Sequence, residues 1–158
     1  MDKYIWGIPT SMGHSPETPY HHTIYIVEFY NTISNLLLII YPILYINHCS
    51  RIQTEIGYML LANAGLCSMI QHGTMLWWSR YVDYFGISMV ILWCIQNKLW
   101  QYICPEYVIM MSIVFLISVL DNHRILTLIP PPIIHSFWHI SIAILAHLIG
   151  GIKLLLFE

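Results

Sequence analysis

Residues 56–78 read IGYMLLANAGLCSMIQHGTMLWW, a run with no Asp, Glu, Lys or Arg. About 20 mostly apolar residues carry a helix across a bilayer. In lipid every backbone polar group must pair within its own segment, so helix is the default conformation. Four more stretches are predominantly apolar: 23–47, 81–102, 106–120 and 133–157. The stretch 106–120 is short and would need a tilted neighbourhood or a thinned bilayer. Residues 1–22 form a polar head containing proline and glycine, and the triple proline Pro130–Pro132 marks the connection into the last helix because proline cannot continue one. Tyr41, Tyr45, Trp77, Trp78, Tyr81, Trp100 and Tyr102 fall near the expected helix ends, as an interfacial aromatic belt would. The expected fold is all-α: one domain, 1–158, built as a polytopic transmembrane bundle of about five helices.

Composition agrees. Of 158 residues 58% are hydrophobic and only 9% charged, where soluble domains carry roughly 25% charged residues. The net charge of −2 gives no basic footprint, which argues against nucleic acid as a partner. The N-terminus lacks a basic stretch leading into an apolar core, so the first helix itself is expected to act as the signal. Cys49, Cys67, Cys94 and Cys104 are scattered with no CxxC pair, and read as small buried hydrophobes rather than a disulfide framework.

Within this apolar chain a few polar residues stand out. His72 lies toward the end of 56–78, Ser68 is one turn before it and Asp83 follows in the next stretch. His135 and His139 sit one turn apart at the start of 133–157. Threading the stretches alternately across a bilayer brings all five groups to one membrane face at similar depth, together with Asp121. Lys3, Arg80 and Arg124 then lie on that side and Arg51, Lys98 and Lys153 on the other, so the positive-inside rule returns a tie. Ionisable groups at such positions mark function more often than packing.

The types present suit a catalytic zinc site. Residues four apart on a helix share a face, so His135 and His139 can reach one ion and Ser68 points where His72 points. Three imidazoles leave one coordination position open and lower the pKa of a water molecule there to about 7. Asp83 can serve as general base and then acid, and Ser68 can donate to an oxyanion. The implied reaction is hydrolysis of an amide or ester in a lipid. His147 reads as a packing residue; His14, His21, His22, His48 and His123 read as loop or interface residues. Glu28, Asn31 and Asn35 make a polar stripe on the first helix. The asparagines read as interhelical hydrogen-bonding groups, whereas Glu28 demands a cation or donor, and Glu17 of the head could join it around a hard cation such as Ca²⁺.

These residues resemble the alkaline ceramidases, within the wider superfamily of seven-helix membrane hydrolases that includes the adiponectin-type receptors. The resemblance runs through Trp6-Gly7, then Tyr25, Glu28-Phe29, Asn31-Thr32 and Ser34-Asn35-Leu36, then Ser68, His72 and Asp83, and finally Asp121-Asn122 and His135-x-x-Trp138-His139. It implies that His72, His135 and His139 bind zinc, that Ser68 stabilises the oxyanion and that Asp83 assists proton transfer. It further implies cleavage of ceramide to a sphingoid base and a fatty acid, in an endoplasmic reticulum or Golgi membrane.

Two departures accompany it. The family's seven helices are reduced by two between Asp83 and Asp121, which preserves parity but removes cavity walls, leaving the cavity open to lipid or completed by a second copy of the chain. The family also binds calcium through its head and the first-helix glutamate. Glu17 and Glu28 match, but His14 and Pro19 stand where an aspartate and an asparagine are expected. Alternative readings are a receptor-like or inactive member with a structural zinc, and a membrane cytochrome holding haem through paired histidines. The second leaves Ser68 and Asp83 without roles.

Overall fold

The computed structural model describes residues 5–10, 17–48, 52–98, 108–109, 112–113, 115–116, 133 and 135–144. Among them every regular element is helical and there are no strands. The elements are α1 (Phe29–Ser34), α2 (Leu36–Tyr45), a 3₁₀ turn (Ile46–His48), α3 (Ile52–Thr74) and α4 (Trp77–Gln96), followed by helical residues 135–144. The central element is α3, which packs against α4, α2 and α1. Small residues permit the close approach. A Cβ on Gly86 of α4 would sit 3.1 Å from the Ala64 Cα of α3, and one on Gly65 would sit 2.8 Å from the Leu38 Cβ of α2.

The first expected helix, 23–47, begins at Phe29 and is interrupted at Asn35. Residues 27 and 28 are instead spent on α3. Their N–H groups donate to the carbonyls of Gly73 and His72, both at 3.0 Å, and so satisfy acceptors that the end of α3 leaves open. The interruption has a local cause as well. The Ser34 hydroxyl and the Asn35 amide both donate to the Asn31 carbonyl, at 3.0 and 2.9 Å, competing with the helical ladder at that point.

The second expected helix, 56–78, runs Ile52–Thr74. It stops where Met75 takes φ +50°, a left-handed conformation that terminates helices. A methionine pays about 1–2 kcal/mol for that conformation, offset here by burial of its side chain against Tyr20 and Val27. The third expected helix, 81–102, runs Trp77–Gln96. Its N-cap, Leu76, has no side-chain acceptor, and the role passes to the head: Thr10 Oγ1 accepts the Trp77 N–H at 2.9 Å while the Thr10 N–H donates to the Met75 carbonyl at 2.9 Å.

No helix among the described residues is both long and apolar enough to cross a membrane. In α3 and α4 the polar residues responsible include Ser68, Gln71, His72, Arg80 and Asp83. These five side chains line one cavity. The fourth expected helix, 106–120, and most of the stretch 117–134 lie largely outside the described residues.

Candidate metal centre

The site lies where the end of α3, the start of α4, the first helix and residues 135–144 meet. His72 and His139 are buried and His135 is half-buried. One ligand nitrogen from each of the three lies within 4.8 Å of the others. His72 Nε2 faces His135 Nε2 at 3.3 Å. The rings meet edge-on, with centroids 4.9 to 5.2 Å apart and interplanar angles of 63 to 84°. Two nitrogens bound at about 2.0–2.1 Å to one tetrahedral ion would be separated by about 3.3–3.4 Å. The three imidazoles therefore have the donor chemistry and spacing to hold a metal ion.

The remaining ring nitrogens are engaged elsewhere. His72 Nδ1 lies 2.5 Å from Glu28 Oε2, and an ionised Glu28, which only accepts, would hold the His72 proton on Nδ1. His139 Nδ1 lies 2.7 Å from the Ser34 hydroxyl. Glu28 is fully buried and also accepts from the Asn31 amide at 3.1 Å. It is the N-cap of α1, but its side chain makes no cap. That work falls to Glu17, whose two carboxylate oxygens accept the N–H groups of Tyr30 at 3.0 Å and Asn31 at 2.7 Å. A negative group there also complements the helix dipole. Burial pushes the Glu17 carboxyl above the usual glutamate range, the two N–H donors pull it down, and the nearby Glu28 charge adds to the rise.

The histidines line a cavity of about 760 Å³ together with Ser68, Asp83, Glu28 and Asn35. Its lining also includes the apolar Leu38, Leu61, Ile87, Val90, Ile91 and Ile142. The Ser68 hydroxyl is within hydrogen-bonding reach of the Asp83 carboxylate. Among the described residues, Asp83 Oδ1 and Asn35 Oδ1 are buried side-chain acceptors without a hydrogen-bond partner, and both residues line the cavity.

The structure thus brings together His72, His135, His139, Ser68 and Asp83, and sets Glu28 behind His72. Glu17 and Glu28, the expected calcium pair, are close enough for their charges to interact, and their hydrogen bonds go to helix N–H groups, to Asn31 and to His72. The expectation for Asn31 and Asn35 divides. Asn31 does bond between helices, accepting from Ser136 at 3.2 Å, but Asn35 bonds back within its own segment. Ser34 is the site residue that the sequence reading left without a role. Its signal was present, since it lies three residues after Asn31 on the edge of the Glu28–Asn31–Asn35 stripe. His14, Asp121, Asn122, His123 and His147 lie outside the described residues.

Helices packed around a three-histidine centre in a partly apolar cavity are, among the described residues, the class of protein that these features define. Residues 7–152 match the family model for ceramidases, and the chain belongs to the ceramidase family. Among curated proteins none matches it. Membership points to a hydrolase acting on the amide bond of a ceramide-type lipid.

Proposed function

We propose that the chain is a zinc-dependent, membrane-embedded amidohydrolase that cleaves ceramide-type lipids into a sphingoid base and a fatty acid. The observation that carries this reading is the grouping of the three imidazoles, with ligand atoms within 4.8 Å of one another, in a cavity whose lining is otherwise largely apolar. The apolar lining suits an acyl chain, and the polar groups suit the amide. Zinc held by His72, His135 and His139 would supply Lewis acidity toward a carbonyl and acidify water.

The chain's own groups divide the remaining work. Asp83 takes a proton from water and delivers it to the departing amine, and its unpartnered Oδ1 is a buried acceptor suited to that role. Ser68 donates to the oxygen on which charge develops. Asn35 Oδ1, the second unpartnered acceptor, suits a hydroxyl or N–H donor of the lipid.

The distribution of side chains supports a bilayer setting. The largest fully buried side chains include Glu28, Asn31, Asn35 and Ser79, while Phe85, Leu92 and Ile95 of α4 and Leu37, Ile40 and Leu44 of α2 are exposed. Polar groups inside and apolar groups outside suit a lipid solvent. An endoplasmic reticulum or Golgi membrane belongs to the same proposal.

Metal analysis and lipid-product identification on one purified sample test it. The expected result is about one zinc per chain, no haem absorbance, and fatty acid released from a labelled ceramide. A haem band without zinc would overturn the reading. Bound zinc with no release from a panel of ceramides would leave a structural metal in a receptor-like protein.

A further inference from the structure

The first helix supplies none of the three histidines, yet it holds two of them. Ser34 decides the orientation of His139. A hydroxyl has one proton, and that of Ser34 goes to the Asn31 carbonyl at 3.0 Å, an acceptor that has nothing to donate. Toward His139 Nδ1, 2.7 Å away, Ser34 Oγ can then only accept. His139 therefore carries its proton on Nδ1 and turns an unprotonated Nε2 toward the other rings. Glu28 does the same for His72 through its carboxylate.

Asn31 braces both arrangements. Its amide donates to Glu28 at 3.1 Å, its carbonyl takes the Ser34 proton, its Oδ1 accepts from Ser136 on the helix that carries His135 and His139, and its N–H is held by Glu17 at 2.7 Å. Asn31 is fully buried, and its bonds to Glu28 and Glu17 are buried with it. We propose that Ser34 and Asn31 are positioning residues of the metal centre, fixing the ring tautomers of His139 and His72 so that both present a lone pair to one ion. The proposal rests on the reading that the three histidines bind a metal.

Partners of this kind raise metal affinity by about 10–100-fold. The test is Zn²⁺ affinity of the purified full-length chain, by chelator competition. Ser34→Ala is expected to weaken binding about 10–100-fold, and Ser34→Thr to restore it, because a helical threonine hydroxyl also reaches a carbonyl three or four residues back. Asn31→Ala is expected to weaken binding at least as much as Ser34→Ala. In the Co²⁺-loaded chain, proton NMR should show shifted exchangeable Nδ1–H signals for two histidines, one of which Ser34→Ala broadens or loses. Should Asn31→Ala not fold, the two Ser34 variants carry the test. Wild-type affinity in Ser34→Ala, or a threonine variant as weak as the alanine one, overturns the proposal alone. A wild-type chain that binds neither Zn²⁺ nor Co²⁺ overturns the metal reading and the proposal together.

Discussion

Glu28 and His72 are joined twice. The Glu28 N–H donates to the His72 carbonyl at 3.0 Å, and the His72 ring donates from Nδ1 to the Glu28 carboxylate at 2.5 Å. The first bond seats the start of α1 on the end of α3, and the second orients the imidazole, so one residue couples the helix junction to the site. Glu28→Ala should leave the His72 Nδ1–H and the Asn31 amide without this acceptor, at about 1–3 kcal/mol per buried group. Glu28→Gln keeps a carbonyl acceptor and should cost less. Thermal unfolding of the metal-free chain measures both, and an alanine variant as stable as wild type would contradict the assignment.

Asp83→Asn should retain the metal and the fold while abolishing fatty-acid release, because an amide cannot accept and return a proton. Ser68→Ala should lower kcat by roughly 100- to 1000-fold with a smaller change in KM, as expected for a donor that acts on developing charge. Steady-state kinetics on a soluble ceramide analogue, with zinc measured on the same samples, separates these outcomes from simple metal loss. Substantial turnover by Asp83→Asn would move the proton transfer to another group.

Two glycines of α3 should respond in opposite ways. At Gly65 an added Cβ meets Leu38 Cβ at 2.8 Å and Ile39 Cγ1 at 3.0 Å, so Gly65→Ala must push α2 away and should cost about 1–3 kcal/mol. At Gly73 the nearest atoms belong to Thr32, 3.9 Å away. Gly73→Ala should be neutral, or stabilising by up to about 1 kcal/mol through helix propensity. Denaturation midpoints compared side by side would show whether the helices are as close as described.

Glu17 should titrate above the ordinary glutamate value of 4.5, since burial outweighs its two N–H donors. With the folded value raised, its contribution to stability is full below the unfolded pKa and is lost as pH rises through the folded one. Unfolding free energy in calcium-free buffer should therefore decline across that window, and Glu17→Gln should flatten the slope. Carboxyl carbon NMR reads the titration directly. If Glu17 and Glu28 share Ca²⁺, adding that ion lowers the Glu17 midpoint; an unchanged midpoint argues that Glu17 serves only as the cap of α1.

Much of the site was legible in the chain because helical periodicity is a local property. The spacing of His135 and His139 places them on one face of any helix that contains them, and the same holds for Ser68 and His72. The helix limits were less legible. Nothing within 23–47 announces that Val27 and Glu28 donate to the end of α3, or that Ser34 and Asn35 compete for one carbonyl. The stop at Met75 was hidden too, because a methionine takes a left-handed conformation only where burial against Tyr20 and Val27 offsets its cost.

By itself, the sequence determined that the chain is helical and apolar, which residues could ligate an ion, and which family they belong to, since all of these follow from residue type and short spacing. Only the tertiary structure decided that His72 meets His135 at 3.3 Å, that Glu17 caps α1 while Glu28 turns to His72, and that Ser34 faces His139. Each of those contacts joins residues distant along the chain. Such pairings arise from how helices close on one another, which a pattern read along one dimension does not contain.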